Sequence, residues 1–279
     1  MQRMVLGRTG LETYRLGLGG IPIQRVSEAE AVATVCRALE RGVDFIDTSR
    51  AYTTSEQRIG LALKEAGIAA DGRSPGSGGS RRVVLASRTH SKTAEAMRAD
   101  LETSLKELQR DYLDIYMCHF VVDQADYQRV AAPGGALEAL QQARQEGLIG
   151  HIGITSHSLD VLDRALDDDL FDVLMVCFSF LEPKAGETVI PKARDKNIGV
   201  LAMKPFSGGA IEDARLALKY TLGEPGEAGG VEVEAEGEKA KLEQLVKHLH
   251  QGPRAAIVDK VDVRWGAYSG CFPDFIITR

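Results

Sequence analysis

Apolar positions recur along this chain with two alternating periods. The opening reads as a hairpin, with Val5-Leu6 and Arg15-Leu16-Gly17-Leu18 flanking the turn signal Gly7-Arg8-Thr9-Gly10. A helix is predicted over 27–40. It starts on the capping-box pattern Ser27-Glu28-Ala29-Glu30, carries Val32, Val35 and Leu39 on one stripe, and stops at Gly42. Short apolar runs then alternate with amphipathic segments. Strands are predicted at 43–47, 83–87, 112–118, 151–155, 172–178 and 198–203. Helices are predicted at 55–66, 93–108, 137–146, 158–166, 188–195 and 213–222.

Six apolar strands, each followed by a helix, argue for a parallel sheet buried on both faces. The length of 279 residues and the number of repeats favour a closed (β/α)₈ TIM-like barrel with an N-terminal hairpin. No Gly-x-Gly-x-x-Gly follows the first predicted strand, and Gly19-Gly20 is not that fingerprint, so a Rossmann fold is disfavoured. Two stretches break the rhythm. Asp71 to Ser80 is a surface loop by composition, and Gly223 to Gly230 reads as a joint. Beyond it Val231–Ala235 alternates strictly, 239–250 is helical, and 256–265 and 275–277 read as strands.

Charge and composition narrow the classes. Lys+Arg 34 against Asp+Glu 40 leaves a net charge of −6, without the basic excess expected of a nucleic-acid partner. No apolar run approaches the roughly 20 residues of a membrane-spanning helix, and the first ten residues lack a secretory leader. Cys36, Cys118, Cys177 and Cys271 form no Cys-x-x-Cys pair, so no metal centre is expected, and Cys118 and Cys177, inside apolar runs, read as buried reduced cysteines of a cytoplasmic protein. The run Asp167-Asp168-Asp169 reads as a solvated helix end.

A barrel of this kind carries its site at the C-terminal strand ends. Those ends deliver Asp47 with Tyr52 five residues on, then Arg88, then His119, then Thr155, Ser156 and His157, and finally Lys204 and Pro205. A tyrosine is a poor acid near neutrality because its pKa is about 10. A neighbouring cation lowers that value, and a carboxylate fixes the cation. A histidine beside the phenol can orient a carbonyl oxygen. This equipment suits proton donation to a carbonyl while hydride arrives from elsewhere.

The stretches GVDFIDTSRAYTTSEQRIGLAL, VVLASRTH, SLKELQRDYLDIYMCHF, GLIGHIGITSHS, VLAMKPFSGG and ARLALKYTL resemble, in order and spacing, the aldo/keto reductase family over about residues 3–226. The resemblance implies a TIM barrel that reduces small aldehydes and ketones with NADPH through an Asp, Tyr, Lys and His tetrad. Here the matching positions are Asp47, Tyr52 and His119, with Arg88 where the family has lysine. Arginine keeps the charge but presents a planar fork in place of a compact ammonium. The family's Ser-Asn pair for the nicotinamide amide reads Thr155-Ser156, and a glutamine of many members appears as Met175. Lys204 and Pro205 lie in a loop that matches a family variant near the pyrophosphate.

The last fifty residues follow another pattern. VEVEAEGEKAKLEQLVKHLHQGP, AAIVDKVDVRW and GCFPDFIITR resemble the second half of an acylphosphatase. The resemblance implies a domain boundary at 226/227. It also implies a ferredoxin-like strand–helix–strand fragment, 227–279, that supplies the last two barrel strands. A half-domain packed on an incomplete barrel is the rival arrangement. The arginine and asparagine that acylphosphatases use lie in the half that is absent, and the only asparagine of the chain is Asn197, so acyl-phosphate hydrolysis is disfavoured. The acidic stretch Glu234–Glu238 would repel a dinucleotide phosphate. Weak NADPH binding or none is therefore expected, and a catalytically weak or inactive barrel chimera is the alternative to an active reductase.

Overall fold

The structure is a computed structural model that describes residues 3–68, 82–211 and 213–222. The 71–80 loop, the 226/227 boundary and the predicted elements from 231 onward lie outside the described residues. The chain divides into two compact units, Met1–Val176 with Val189–Leu201, and Cys177–Thr188 with Ala202–Arg279.

In the first unit, β1 (Arg3–Val5) pairs antiparallel with β2 (Glu12–Tyr14) across a 3-10 turn at Gly7–Thr9, with Gly10 left-handed at φ 68°. The second hairpin arm thus falls at 12–14, earlier than the pattern predicts. Leu18–Gly19 is instead β3, which pairs parallel with β4 (Phe45–Asp47) through Leu18↔Ile46 and Gly19↔Asp47. β5 (Val84–Thr89), β6 (Leu113–Cys118), β7 (Ile149–Ser156), β8 (Val173–Cys177) and β9 (Gly199–Met203) follow. The sheet runs β3-β4-β5-β6-β7-β8-β9. Its seven strands include one more than the six predicted, because β3 belongs to the sheet and not to the hairpin. That is the sequential order of a (β/α)₈ barrel, one strand short of eight within the described residues.

The intervening helices are α1 (Glu28–Glu40), α2 (Ser55–Glu65), α3 (Ala94–Leu108), α4 (Gln124–Ala131), α5 (Ala136–Gln145) and α6 (Leu159–Asp168), with α7 (Lys184–Glu187), α8 (Val189–Asp195) and α9 (Ala214–Leu222) further on. Ser27 caps α1 as the sequence indicates, its hydroxyl accepting from the Glu30 amide while Glu30 accepts from the Ser27 amide. All six residues of β5 and of β6 are buried, as two-sided burial of a parallel sheet requires. The core holds Leu85, Ile115, Met117, Ile152 and Leu174, with Leu101, Leu105 and Leu140 from the helices.

One buried carboxylate ties the hairpin to the sheet. Asp44, entering β4, accepts from the Thr13 hydroxyl at 2.7 Å, the Tyr14 amide at 2.9 Å and Arg3 at 2.9 Å. The triple aspartate is ion-paired rather than merely solvated: Asp167 faces Lys192, Asp168 faces Arg164, and Asp169 faces Arg8. In the second unit, the Phe178 and Phe180 rings lie 5.4 and 6.2 Å from that of Tyr220, and the Ser179 and Ser207 hydroxyls are 2.6 Å apart.

Candidate active site

Parallel pairing in sequence order places the C-terminal ends of β4, β5, β6 and β7 along one edge. Asp47 pairs with Ala86, Arg88 with Met117, and Cys118 with Ile154. Past these ends the backbone continues the ladder briefly. The Thr48 amide donates to the Ala86 carbonyl, Arg50 to Arg88, and His119 to Thr89. The 48–54 loop then turns back, with the Tyr52 amide donating to the Ser49 carbonyl at 3.0 Å and Thr53 left-handed at φ 42°. Tyr52 is thereby brought over the end of β5.

Asp47, Tyr52, Arg88 and His119 converge. The Arg88 guanidinium forks: Nη1 bonds Asp47 Oδ1, and Nη2 donates to the Tyr52 hydroxyl at 2.7 Å. Its central carbon sits 5.3 Å from the centroid of the Tyr52 ring. The Tyr52 and His119 rings meet edge-on, 6.0 Å apart at 89°. Arg88 is 3% exposed, and its Nε is buried without a hydrogen-bond partner among the described residues. Burial opposes the Arg88 charge, but Asp47 and then Tyr52 outweigh it and hold the guanidinium firmly protonated. Burial pushes the Asp47 carboxyl up from its ordinary value, against the downward pull of Arg88. Burial drives His119 down to about 2, helped by the positive charges of Arg88 and Lys92, so its imidazole is neutral at physiological pH.

Three further neighbours complete the site, of which the sequence reading singled out only His90, as a loop residue. Ser49 stands 3.0 Å from His119 Nδ1 and donates to the Arg88 carbonyl, also at 3.0 Å. His90 lays its ring 4.2 Å from that of His119, tilted by 32°. Lys92 Nζ donates to the His119 carbonyl at 3.0 Å and pairs with Asp126 at 3.1 Å. The available signal was proximity: Ser49 lies two residues past Asp47, and His90 and Lys92 two and four past Arg88. His157, which follows the end of β7, packs edge-on against Phe120 at 4.8 Å.

The expected cofactor-binding residues are placed differently from the quartet. Thr155 and Ser156 end β7 and are buried. Thr155 Oγ1 accepts from the Phe120 amide at 2.8 Å, and no acceptor for its own proton occurs among the described residues. The Ser156 hydroxyl donates to the Val121 carbonyl at 2.6 Å and accepts from the Ser158 amide at 2.9 Å. Ser156 therefore braces the β6 and β7 loops, while Thr155 keeps a donor that a carboxamide oxygen could take. Met175 on β8 is buried and offers no hydrogen bond donor. Lys204, left-handed at φ 56°, and Pro205 belong to the second unit. No cluster of three or more metal-ligating side chains occurs among the described residues. No helix among them is long and apolar enough to cross a membrane.

A sequentially ordered parallel sheet of the (β/α)₈ type thus carries a phenol, a guanidinium, a carboxylate and an imidazole at one edge. The chain belongs to the aldo/keto reductase family, whose model matches residues 13–247. An acylphosphatase model matches residues 226–277. Among curated relatives, L-galactose dehydrogenase of Arabidopsis thaliana is 31% identical over 223 residues, 75% of this chain and 66% of that protein. Aldo-keto reductase YhdN of Bacillus subtilis is 27% identical over 240 residues, 80% of this chain and 67% of that protein. The chain thus spans about two thirds of the length of these relatives. A solved structure assigned as an aldo-keto reductase of Pseudomonas aeruginosa is 26% identical with a TM-score of 0.65, covering 80% of this chain and 86% of that one.

Proposed function

We propose that this chain reduces a small carbonyl compound with NADPH, Tyr52 being the proton donor. The observation that carries this reading is the Arg88 fork, which joins Asp47 to the Tyr52 hydroxyl through one buried guanidinium. When bound, the reduced nicotinamide supplies hydride to the carbonyl carbon. Tyr52 gives its proton to the carbonyl oxygen, and the Arg88 Nη2–H stabilises the phenolate left behind. Asp47 holds the guanidinium in the orientation that keeps one edge on Tyr52. His119, neutral and edge-on to the phenol, forms a wall of the substrate space. Its missing positive charge leaves Arg88 as the cation nearest the phenol.

Thr155 offers a donor for the nicotinamide carboxamide, Ser156 holds the strand end in place, and Lys204 and Pro205 are the remaining residues expected to bind the cofactor. In this reading 1–226 is the reductase barrel and 227–279 an acylphosphatase-like addition, in a cytoplasmic protein. The titration that decides between an active reductase and an inactive chimera follows NADPH fluorescence on adding the full chain, and then aldehyde-dependent NADPH oxidation with glycolaldehyde. Tyr52→Phe is expected to lower kcat/KM by about 10²–10⁴ while NADPH binding persists. Undetectable NADPH binding, or a Tyr52→Phe enzyme as fast as the parent, rules the reading out.

A further inference from the structure

The hydroxyl of Ser49 is fully committed, and its commitments fix the histidine beside it. Ser49 Oγ lies 3.0 Å from the Arg88 carbonyl oxygen, which can only accept, so the serine proton points there. The Ala51 amide donates into the same Oγ at 3.1 Å. One lone pair remains, and His119 Nδ1 stands 3.0 Å away. The bond is made if Nδ1 carries the hydrogen. The Arg88 carbonyl is then filled by two donors, the Ser49 hydroxyl and the Arg50 amide at 2.9 Å.

The opposite tautomer is poorer by one hydrogen bond. With the imidazole hydrogen on Nε2, the Ser49 hydroxyl has to swing onto Nδ1, and the Arg88 carbonyl loses its second donor. We infer that Ser49 is a positioning residue that holds His119 with its hydrogen on Nδ1, leaving Nε2 without a hydrogen and able only to accept. For the reduction proposed above, on which only this consequence rests, His119 then cannot donate to the carbonyl oxygen. Tyr52 becomes the sole proton donor of that pair. Serine thus sets the direction in which the imidazole can hydrogen-bond, without touching the reacting atoms.

The test needs neither cofactor nor substrate, so it stands apart from the NADPH titration. Long-range ¹H–¹⁵N correlation spectra of the ¹⁵N-histidine-labelled full chain at pH 7 report which ring nitrogen of a neutral imidazole carries hydrogen, and His119 is assigned by its loss in His119→Gln. The expected spectrum shows a protonated Nδ1 and a bare Nε2 for His119. In Ser49→Ala the tautomer ratio falls by about tenfold, the worth of one net hydrogen bond, and Ser49→Thr restores it. A parent spectrum with hydrogen on Nε2 overturns the inference by itself, even if Ser49→Ala does not fold. An unchanged ratio in folded Ser49→Ala overturns it equally.

Discussion

Arg88 holds the Tyr52 hydroxyl at 2.7 Å with one amino group while its other amino group holds the Asp47 carboxylate. A single planar cation therefore does two jobs that a point charge would do by proximity alone. Removing it leaves the Asp47 carboxylate with no partner among the described residues. Arg88→Met is expected to destabilise the protein by about 3–5 kcal/mol and to abolish carbonyl reduction. Arg88→Lys keeps a cation for Asp47 and is expected to cost less than half as much stability. Urea unfolding of the three proteins checks the order; an Arg88→Met as stable as the parent refutes it.

His119 links acid sensitivity to burial. Its folded pKa, near 2, lies below the roughly 6.5 of an unfolded histidine. The unfolded chain thus binds the extra proton between those values, and the stability contributed by neutral His119 is complete above pH 6.5 and lost as pH falls toward 2. From pH 7 to pH 5 this loss amounts to about 2 kcal/mol at most. His90 and His151 are also lowered by burial and act in the same direction, so the comparison is differential. His119→Gln should show a shallower loss of urea stability between pH 7 and pH 5 than the parent. Parallel slopes would contradict the assignment.

Gly60 lies in α2 against α3, where a helix-propensity scale recommends alanine by about 1 kcal/mol. A Cβ there would sit 2.5 Å from the Glu107 carbonyl oxygen and 2.9 Å from the Leu108 carbonyl carbon, both backbone atoms that cannot swing aside. Separating the two helices costs about 1–3 kcal/mol. Gly60→Ala is accordingly expected to lower the melting temperature despite its better helix former. A melting temperature at or above that of the parent would show that the helices part freely.

Asp44 serves the fold rather than the chemistry. Asp44→Ala leaves the buried Thr13 hydroxyl only its long 3.4 Å bond to the Tyr14 carbonyl and deprives the Tyr14 amide of its acceptor, at an expected cost of about 3 kcal/mol. Asp44→Asn retains acceptors and is expected to cost less. Amide exchange at Tyr14 localises the effect: it should accelerate in Asp44→Ala more than exchange in β6 does.

Much of the fold is legible from local pattern. The α1 boundary follows from a capping box that satisfies its own amides, and β5 and β6 follow from uninterrupted apolar runs. The two-residue strand β3 is not legible. Leu18–Gly19 is too short to carry a period, and its partners Ile46 and Asp47 lie 28 residues away. α4 is equally hidden, because its eight residues bury only Asp126, Tyr127 and Val130.

Sequence by itself determined the strand–helix alternation, the sequential parallel sheet, and the four positions Asp47, Tyr52, Arg88 and His119 that the strand ends bring to one edge. Each follows from local periodicity and from the family motifs in which those residues sit. Tertiary structure alone decided how they are joined: Arg88 as a fork, Ser49 on His119 Nδ1, Ser156 as a brace, and Thr155 with a donor to spare. Those bonds cross 35 to 70 residues of chain. They exist only in one strand register, and a shift of a single residue would turn the strand residues among them, Asp47, Arg88, Thr155 and Ser156, to the other face of the sheet.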